Sequence, residues 1–275
     1  MALLTTSSRR FVVAAAFFFS AVVSLCAESW EATVTPFAPG SFPELRPARA
    51  HYRFGWSGFT AANIVIRLEK LSDGQFRFKA EGGTVGLARS LWKFDVHHTA
   101  FSDARTLRPI EVREVESARA KVKTTEVKYS PAGVVSVREE KKGSAVKVKT
   151  RRFDFPNVLS LNSALLFLRT QPLPDGAVRR VVVYPATSAY LCTITVLGRE
   201  PITVPTGSYQ AIKVDVRLSK IGPNRELLPH KKFRKATVWL SDDTDRLPLR
   251  IEAQIFIGTV FAELESVQFN EKTEP

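Results

Sequence analysis

The feature that most narrows the possible folds of this chain is a period of two in its apolar residues. Ile64, Ile66 and Leu68 alternate with Val65, Arg67 and Glu69. After Ser72-Asp73-Gly74 the pattern returns, with Phe76, Phe78 and Ala80 set against Gln75, Arg77 and Lys79. Successive side chains of a strand point to opposite faces, so each run presents one apolar and one polar surface. Asp-Gly between two such runs marks a hairpin, because the pair accepts the positive φ angles of a tight turn. The same logic recurs in Ile212, Val214, Val216 and Leu218, and in Leu249, Ile251, Ala253, Ile255 and Ile257. There Gly258-Thr259 is expected to turn the chain before Val260, Ala262 and Leu264. An all-β, mostly antiparallel chain is predicted, with one side of its sheet in water.

Helical spacing is confined to two places. Beyond Asp154-Phe155-Pro156, Asn157 is a candidate cap, and Leu161, Leu165 and Leu168 recur at helical intervals. Leu159, Leu166 and Phe167 spread apolar character round most of the circumference, so this helix should be buried. A shorter piece is expected between Thr84 and Trp92. The expected architecture is a strongly curved sheet, or two half-barrels, wrapped round one buried central helix.

The first residues carry a different signal. Arg9-Arg10 precede an apolar run from Phe11 to Leu25, which ends in Cys26-Ala27. A cationic start, an apolar stretch and a small residue at the cut are the parts of a secretory signal. The run falls short of the roughly 20 apolar residues that span a bilayer. Cleavage after Ala27 is predicted, and with it a periplasmic location. Two other export routes compete with this one. Ser8-Arg9-Arg10-Phe11 is similar to a twin-arginine signal, although Val12 and Val13 follow where Phe and Leu are usual. A lipoprotein anchored through Cys26 would need Gly, Ala or Ser where Leu25 stands. The expected division is a signal over 1–27, an irregular Pro- and Gly-rich lead-in over 28–49 that could serve as a tether, one β-rich domain over 50–270, and a tail over 271–275. Cleavage leaves Cys192 as the sole cysteine, so no internal disulfide can form, and a buried strand position is expected for it.

Formal charge over the whole chain is +13, of which Arg9 and Arg10 supply two, leaving +11 for the remainder. Much of it sits between Ala118 and Arg152. Arg119, Lys121 and Lys123 alternate with Ala118, Ala120 and Val122, and Lys147, Lys149 and Arg151 alternate with Val146, Val148 and Thr150. If both segments are strands, their cations line up on the solvent face as a patch for anionic partners such as lipid head groups. A plainer reading is a solvated face whose lysines protect a sheet edge. Pro229-His230-Lys231-Lys232-Phe233-Arg234-Lys235 adds a second basic stretch.

Catalytic and metal signatures are weak. Asp242, Asp243 and Asp245 could hold a hard cation, but the loop lacks the central Gly and distal Glu of an EF-hand. A turn whose carboxylates bond local backbone, partly neutralised by Arg246 and Arg250, explains them as well. His97 and His98 would point to opposite faces of a strand, and only Asp95 shares a face with His97, too few ligands for zinc. Gly55-Trp56-Ser57-Gly58 is no nucleophile elbow, and Gly82-Gly83-Thr84-Val85-Gly86 lacks the Lys of a phosphate loop and reads as a turn before a helix.

Several segments taken in order resemble a known family. Tyr52-Arg53-Phe54-Gly55-Trp56 with Ala61-Ala62 is similar to its opening, and Asp95 to Pro109 to its next block. Leu161 to Arg169 resembles its central helix, and Leu197-Gly198-Arg199-Glu200 through Tyr209 its following hairpin. Val238-Trp239-Leu240-Ser241-Asp242-Asp243, Arg246 to Ile251 and Gly258 to Leu264 complete the likeness. Over about 50–268 the chain resembles the bacterial exported proteins grouped as domain-of-unknown-function 3108. The resemblance implies an envelope location and a β-rich body, and carries no catalytic residues; the basic region from Ala118 to Arg152 departs from it.

These expectations describe a non-catalytic domain that binds or scaffolds an amphiphilic or anionic envelope component, without cofactor. Its partners would be a lipid or other anionic component, or another envelope protein, and not nucleic acid. One alternative is an envelope hydrolase whose site only the fold assembles. Another is a structural subunit of an envelope complex. The apolar strand faces and the helix could be solid core, or could line a groove for an acyl chain.

Overall fold

The computed structural model describes residues 29–40, 45–56, 58–230, 233–255 and 258–269. The chain divides into two units, residues 1–32 and 33–275. Residues 30–32 of the first belong to a 3₁₀ turn, Trp30–Thr33. The signal segment with Cys26 and Ala27, the tail 271–275, Ile257, and Lys231 and Lys232 of the second basic stretch lie outside the described residues.

The second unit carries one antiparallel sheet. Its first meander comprises β1 (Ala48–Trp56), β2 (Phe59–Lys70), β3 (Gln75–Thr84), β4 (Phe94–Asp103), β5 (Pro109–Ala118), β6 (Lys121–Ser130), β7 (Gly133–Lys142) and β8 (Ala145–Asp154). Helix α1 (Gly86–Leu91) joins β3 to β4, and α2 (Leu161–Thr170) follows β8. The second meander comprises β9 (Val178–Val183), β10 (Tyr190–Val204), β11 (Gly207–Ile221), the short β12 (Leu227–Pro229), β13 (Phe233–Ser241), β14 (Pro248–Ile255) and β15 (Gly258–Phe269). The order is β8-β7-β6-β5-β4-β3-β2-β1-β15-β14-β13-β11-β10-β9, with β12 on β11. Pairing of β1 with β15 joins the meanders, and the sheet stays open between β8 and β9.

The register follows the apolar alternation. Ile66 sits opposite Ala80 and Leu68 opposite Phe78, across the hairpin whose turn holds Gly74 at φ 80°. Ile251 sits opposite Ala262, and Ala253 opposite Val260. The last hairpin turns earlier than Gly258-Thr259, since Gly258 already pairs with Ile255.

Helix α2 starts later than its first candidate cap. Ser160 is the N-cap and its hydroxyl accepts the Ser163 N–H at 3.0 Å. Asn157 instead takes φ 56°, and Leu159 behind it bridges to Val183 of β9. Gly82 and Gly83 belong to β3 rather than to a turn, so the expected short helix shrinks to α1. On α2, Ala164, Phe167 and Leu168 join Val181, Val183, Cys192, Ile194, Val196, Ile212, Val214 and Leu240 in one buried cluster. Leu166 joins another with Leu45, Leu68, Phe76 and Leu107. A single helix thus packs against strands of both meanders.

Between Thr35 and Ala38 the lead-in is irregular but docked, not a loose tether. Thr35 exchanges backbone and side-chain hydrogen bonds with Arg180. Phe37 lies 5.0 Å from the Phe167 ring, and the Gln171 amide donates to the Ala38 carbonyl. No α-helix among the described residues is long and apolar enough to cross a membrane.

Candidate functional site

Asn162 lies three and four residues before Leu165 and Leu166, and Arg169 four and three after them, so the four form one stripe of α2. That stripe faces a cavity of about 490 Å³. The facing wall comes from the centre of the sheet, where β2, β1, β15 and β14 lie side by side. Along β1 the inward positions are Ala48, Ala50, Tyr52 and Phe54, and Ala253 and Ala262 stand at inward positions of β14 and β15. Elsewhere on this sheet such positions carry Val, Ile or Leu against the helix. Alanine is too short to span the gap, so space remains between helix and sheet. The wall is kept smooth at Gly55, where the β1–β2 register shifts. A Cβ there would come 2.2 Å from the Phe261 ring and 2.3 Å from the Phe59 carbonyl oxygen, so only glycine lets that ring lie in the wall.

Polar groups reach the cavity at few points. Arg169 is 7% exposed, and its Nε and Nη2 donate to the Asp245 carbonyl at 3.2 and 2.7 Å. Burial pushes its pKa down. The buried Tyr52 hydroxyl donates to the Pro248 carbonyl at 2.8 Å, and burial raises its pKa. Arg46 forms a two-toothed pair with Asp245 at 2.7 and 2.5 Å and stacks over Phe269. Asn162 Oδ1 lies 3.0 Å from His98 Nε2, whose other ring nitrogen lies 3.1 Å from Glu114 Oε2. Trp56 also lines the cavity, and the chain around it is strongly apolar at the surface. Phe59 is 78% exposed and Leu87 76%, with Leu91 and Trp92 beside them; α1 packs on β2 and Val85 N–H donates to the Ala61 carbonyl.

The residues singled out in the sequence fall elsewhere. Asp243 Oδ1 accepts from the Ser241 hydroxyl and from the backbone N–H groups of Asp245 and Arg246, as a turn-forming carboxylate does. Asp245 pairs with Arg46, and Asp242 with Arg199 at 3.3 Å. The arginines that pair directly with these carboxylates are thus distant in sequence, while Arg246 is close enough to Asp242 for their charges to attract, as expected of it. Arg250 pairs with Glu252 and Glu263, and Arg246 donates to the carbonyls of Arg169 and Gln171. Asp95 is bound by Arg89, whose guanidinium holds its carboxyl below the usual range. His97 is exposed on the opposite face from His98. The hydroxyls of Ser102 and Ser163 bond to each other at 2.8 Å. Cys192 is buried in β10 and its thiol is pushed up to about 12.

The basic region is built differently from its expectation. Lys121 and Lys123 share a face of β6 with Thr125 and Val127, and Val127 is fully buried. By register the same face carries Glu116 opposite Lys123, Glu140 opposite Lys123 and Lys147, and Arg138 opposite Lys149. Lys123 and Glu116 pair at 3.0 Å, and Lys121 and Glu140 at 2.5 Å. The cations therefore continue the core-bearing face, interleaved with carboxylates, while Val122, Val146 and Val148 lie outward and exposed. Arg151 follows on the lysine face of β8, and Arg119 sits in the β5–β6 turn at φ 54°, donating to the Leu91 carbonyl.

Sequence reasoning passed over Arg169 and Asn162, because polar residues near the ends of a helix read as solvated. Their three- and four-residue spacing from Leu165 and Leu166 was the available signal, as was the alanine content of β1, β14 and β15.

Among curated proteins none matches the chain in sequence. In fold it is similar to the β-barrel-like protein of domain of unknown function 1849 from Brucella abortus, at TM-score 0.56 and 12% identity, covering 84% of this chain and 100% of that one. Weaker likenesses are to a candidate lipoprotein from Parabacteroides distasonis (TM-score 0.32, 10% identity, 84% and 99% covered) and to a candidate exported protein with a YmcC-like fold from Bacteroides fragilis (TM-score 0.30, 9% identity, 84% and 99% covered). The family model described as Protein of unknown function (DUF3108) matches residues 49–265, nearly the whole sheet, and the chain belongs to that family.

Proposed function

We propose that this protein is an exported, non-catalytic binding protein of the bacterial envelope that holds the apolar chain of an amphiphile between α2 and the centre of its sheet. The cavity of about 490 Å³ carries the reading: its wall is apolar apart from a few side chains at its edge, and its size is that of sites that take small ligands, roughly 300–1,000 Å³. In this reading the sheet curves round α2 as two half-barrels, a view supported by the helix's contacts with strands of both meanders. The exposed Trp56, Phe59, Leu87 and Leu91 give an apolar chain a route between cavity and surface. The signal segment 1–27 supports release into the periplasm. A second reading, a subunit of an envelope complex, is favoured by the exposed Val122, Val146 and Val148 beside the open edge of β8.

An environment-sensitive fluorescent fatty acid tests the cavity. It should bind the unaltered protein and be lost, by at least about tenfold in affinity, from Ala253→Trp, which fills the space. Equal binding by a folded Ala253→Trp would remove the cavity from consideration.

A further inference from the structure

We infer that the cavity recognises the anionic head group of a single-chain amphiphile, a carboxylate or a phosphate monoester, through the guanidinium of Arg169. This rests on the reading above and adds to it the end of the ligand that is bound polarly. Arg169 is a cation more than nine-tenths buried in a cavity wall that is otherwise almost wholly apolar. Its Nε and Nη2 share a single neutral acceptor, the Asp245 carbonyl, and Nη1 has no acceptor among the described residues. The Asp245 carboxylate is engaged through both oxygens by Arg46, so Arg169 has no carboxylate within ion-pair distance among the described residues.

A charge kept from water is costly unless an opposite charge or a full set of hydrogen bonds meets it. Arginine stays protonated even when burial lowers its pKa, and its planar fork matches two oxygens of a carboxylate or phosphate. Neighbouring polar groups are already committed: Tyr52 to Pro248, Asn162 to His98. From Arg169, the stripe through Leu166 and Leu165 to Asn162 runs about 10 Å along α2 at 1.5 Å per residue. Arg46, the other cation in the lining, is committed to Asp245, so one cation without a carboxylate partner stands at one end of an apolar channel, which suits a ligand with a single charged end. Neither a neutral lipid nor a soluble anion without a chain would use both parts.

The test is titration calorimetry of the unaltered chain with decanoate, decyl phosphate and decanol, each below its solubility or micellar limit. At least one anion should bind about tenfold or more tightly than the alcohol, and the tighter of the two identifies the head group. Arg169→Met should bring that anion down to the level of the alcohol, and Arg169→Lys should recover part of the difference. If the alcohol matches both anions on the unaltered protein, the head-group inference fails while the cavity reading stands. If none of the three binds, both fail.

Discussion

In β10, Cys192, Ile194 and Val196 occupy one face and meet Phe167 and Leu168 of α2. In β6, Lys121, Lys123 and Thr125 occupy the corresponding alternation, and the two lysines meet Glu140 and Glu116. Both strands obey the same two-residue period within one sheet. Where the helix covers the face, the period is filled by branched apolar chains and becomes core. In the β5–β8 wing it is filled by interleaved charges and becomes an ion-pair ladder. Between them, at β1, β14 and β15, the helix covers the face but alanines leave it unfilled, and a cavity results. Sheet geometry permits all three outcomes; side-chain volume and helix cover select among them.

The two ends of the sheet should therefore respond very differently to substitution. Phe167→Ala removes a fully buried ring shared by the C-terminal strands and the lead-in. Chemical denaturation should show a loss of about 3–5 kcal/mol. A loss below about 1 kcal/mol would mean that α2 is not the keystone of that half. In the wing, Glu116→Gln breaks the pair with Lys123 at 3.0 Å and the longer one with Arg138 at 3.8 Å, among side chains 24–31% exposed. Ion pairs that water still reaches contribute roughly 0.2–1 kcal/mol each, so the same measurement should show about 1 kcal/mol, shrinking in high salt. A cost as large as that of Phe167→Ala would show the ladder to be structural in its own right.

The strands were legible because a period of two is a local signal, and Leu68 opposite Phe78 or Ile251 opposite Ala262 follow from it directly. The existence and burial of α2 were legible for the same reason, but its start was not. Asn157 and Ser160 are both acceptable caps, and only the bridge from Leu159 to Val183 decides for Ser160. Which face of a strand continues the core is a tertiary fact, so the cations expected on the solvent face share a face with buried Val127, and Val122, Val146 and Val148 lie on the other. The partners of the Asp242–Asp245 turn escaped for a similar reason, since Arg46 and Arg199 are brought there by the fold across long stretches of chain. The cavity left only a faint trace, alanine where neighbouring strands carry larger residues.

Native mass spectrometry of the chain, purified without detergent and then given one equivalent of a long-chain amphiphile, reads the occupancy of that cavity most directly. The expected result is a one-to-one complex for the unaltered protein and bare protein for Ala253→Trp. Bare protein in both samples, or the same complex in both, would contradict a cavity built to hold an apolar chain.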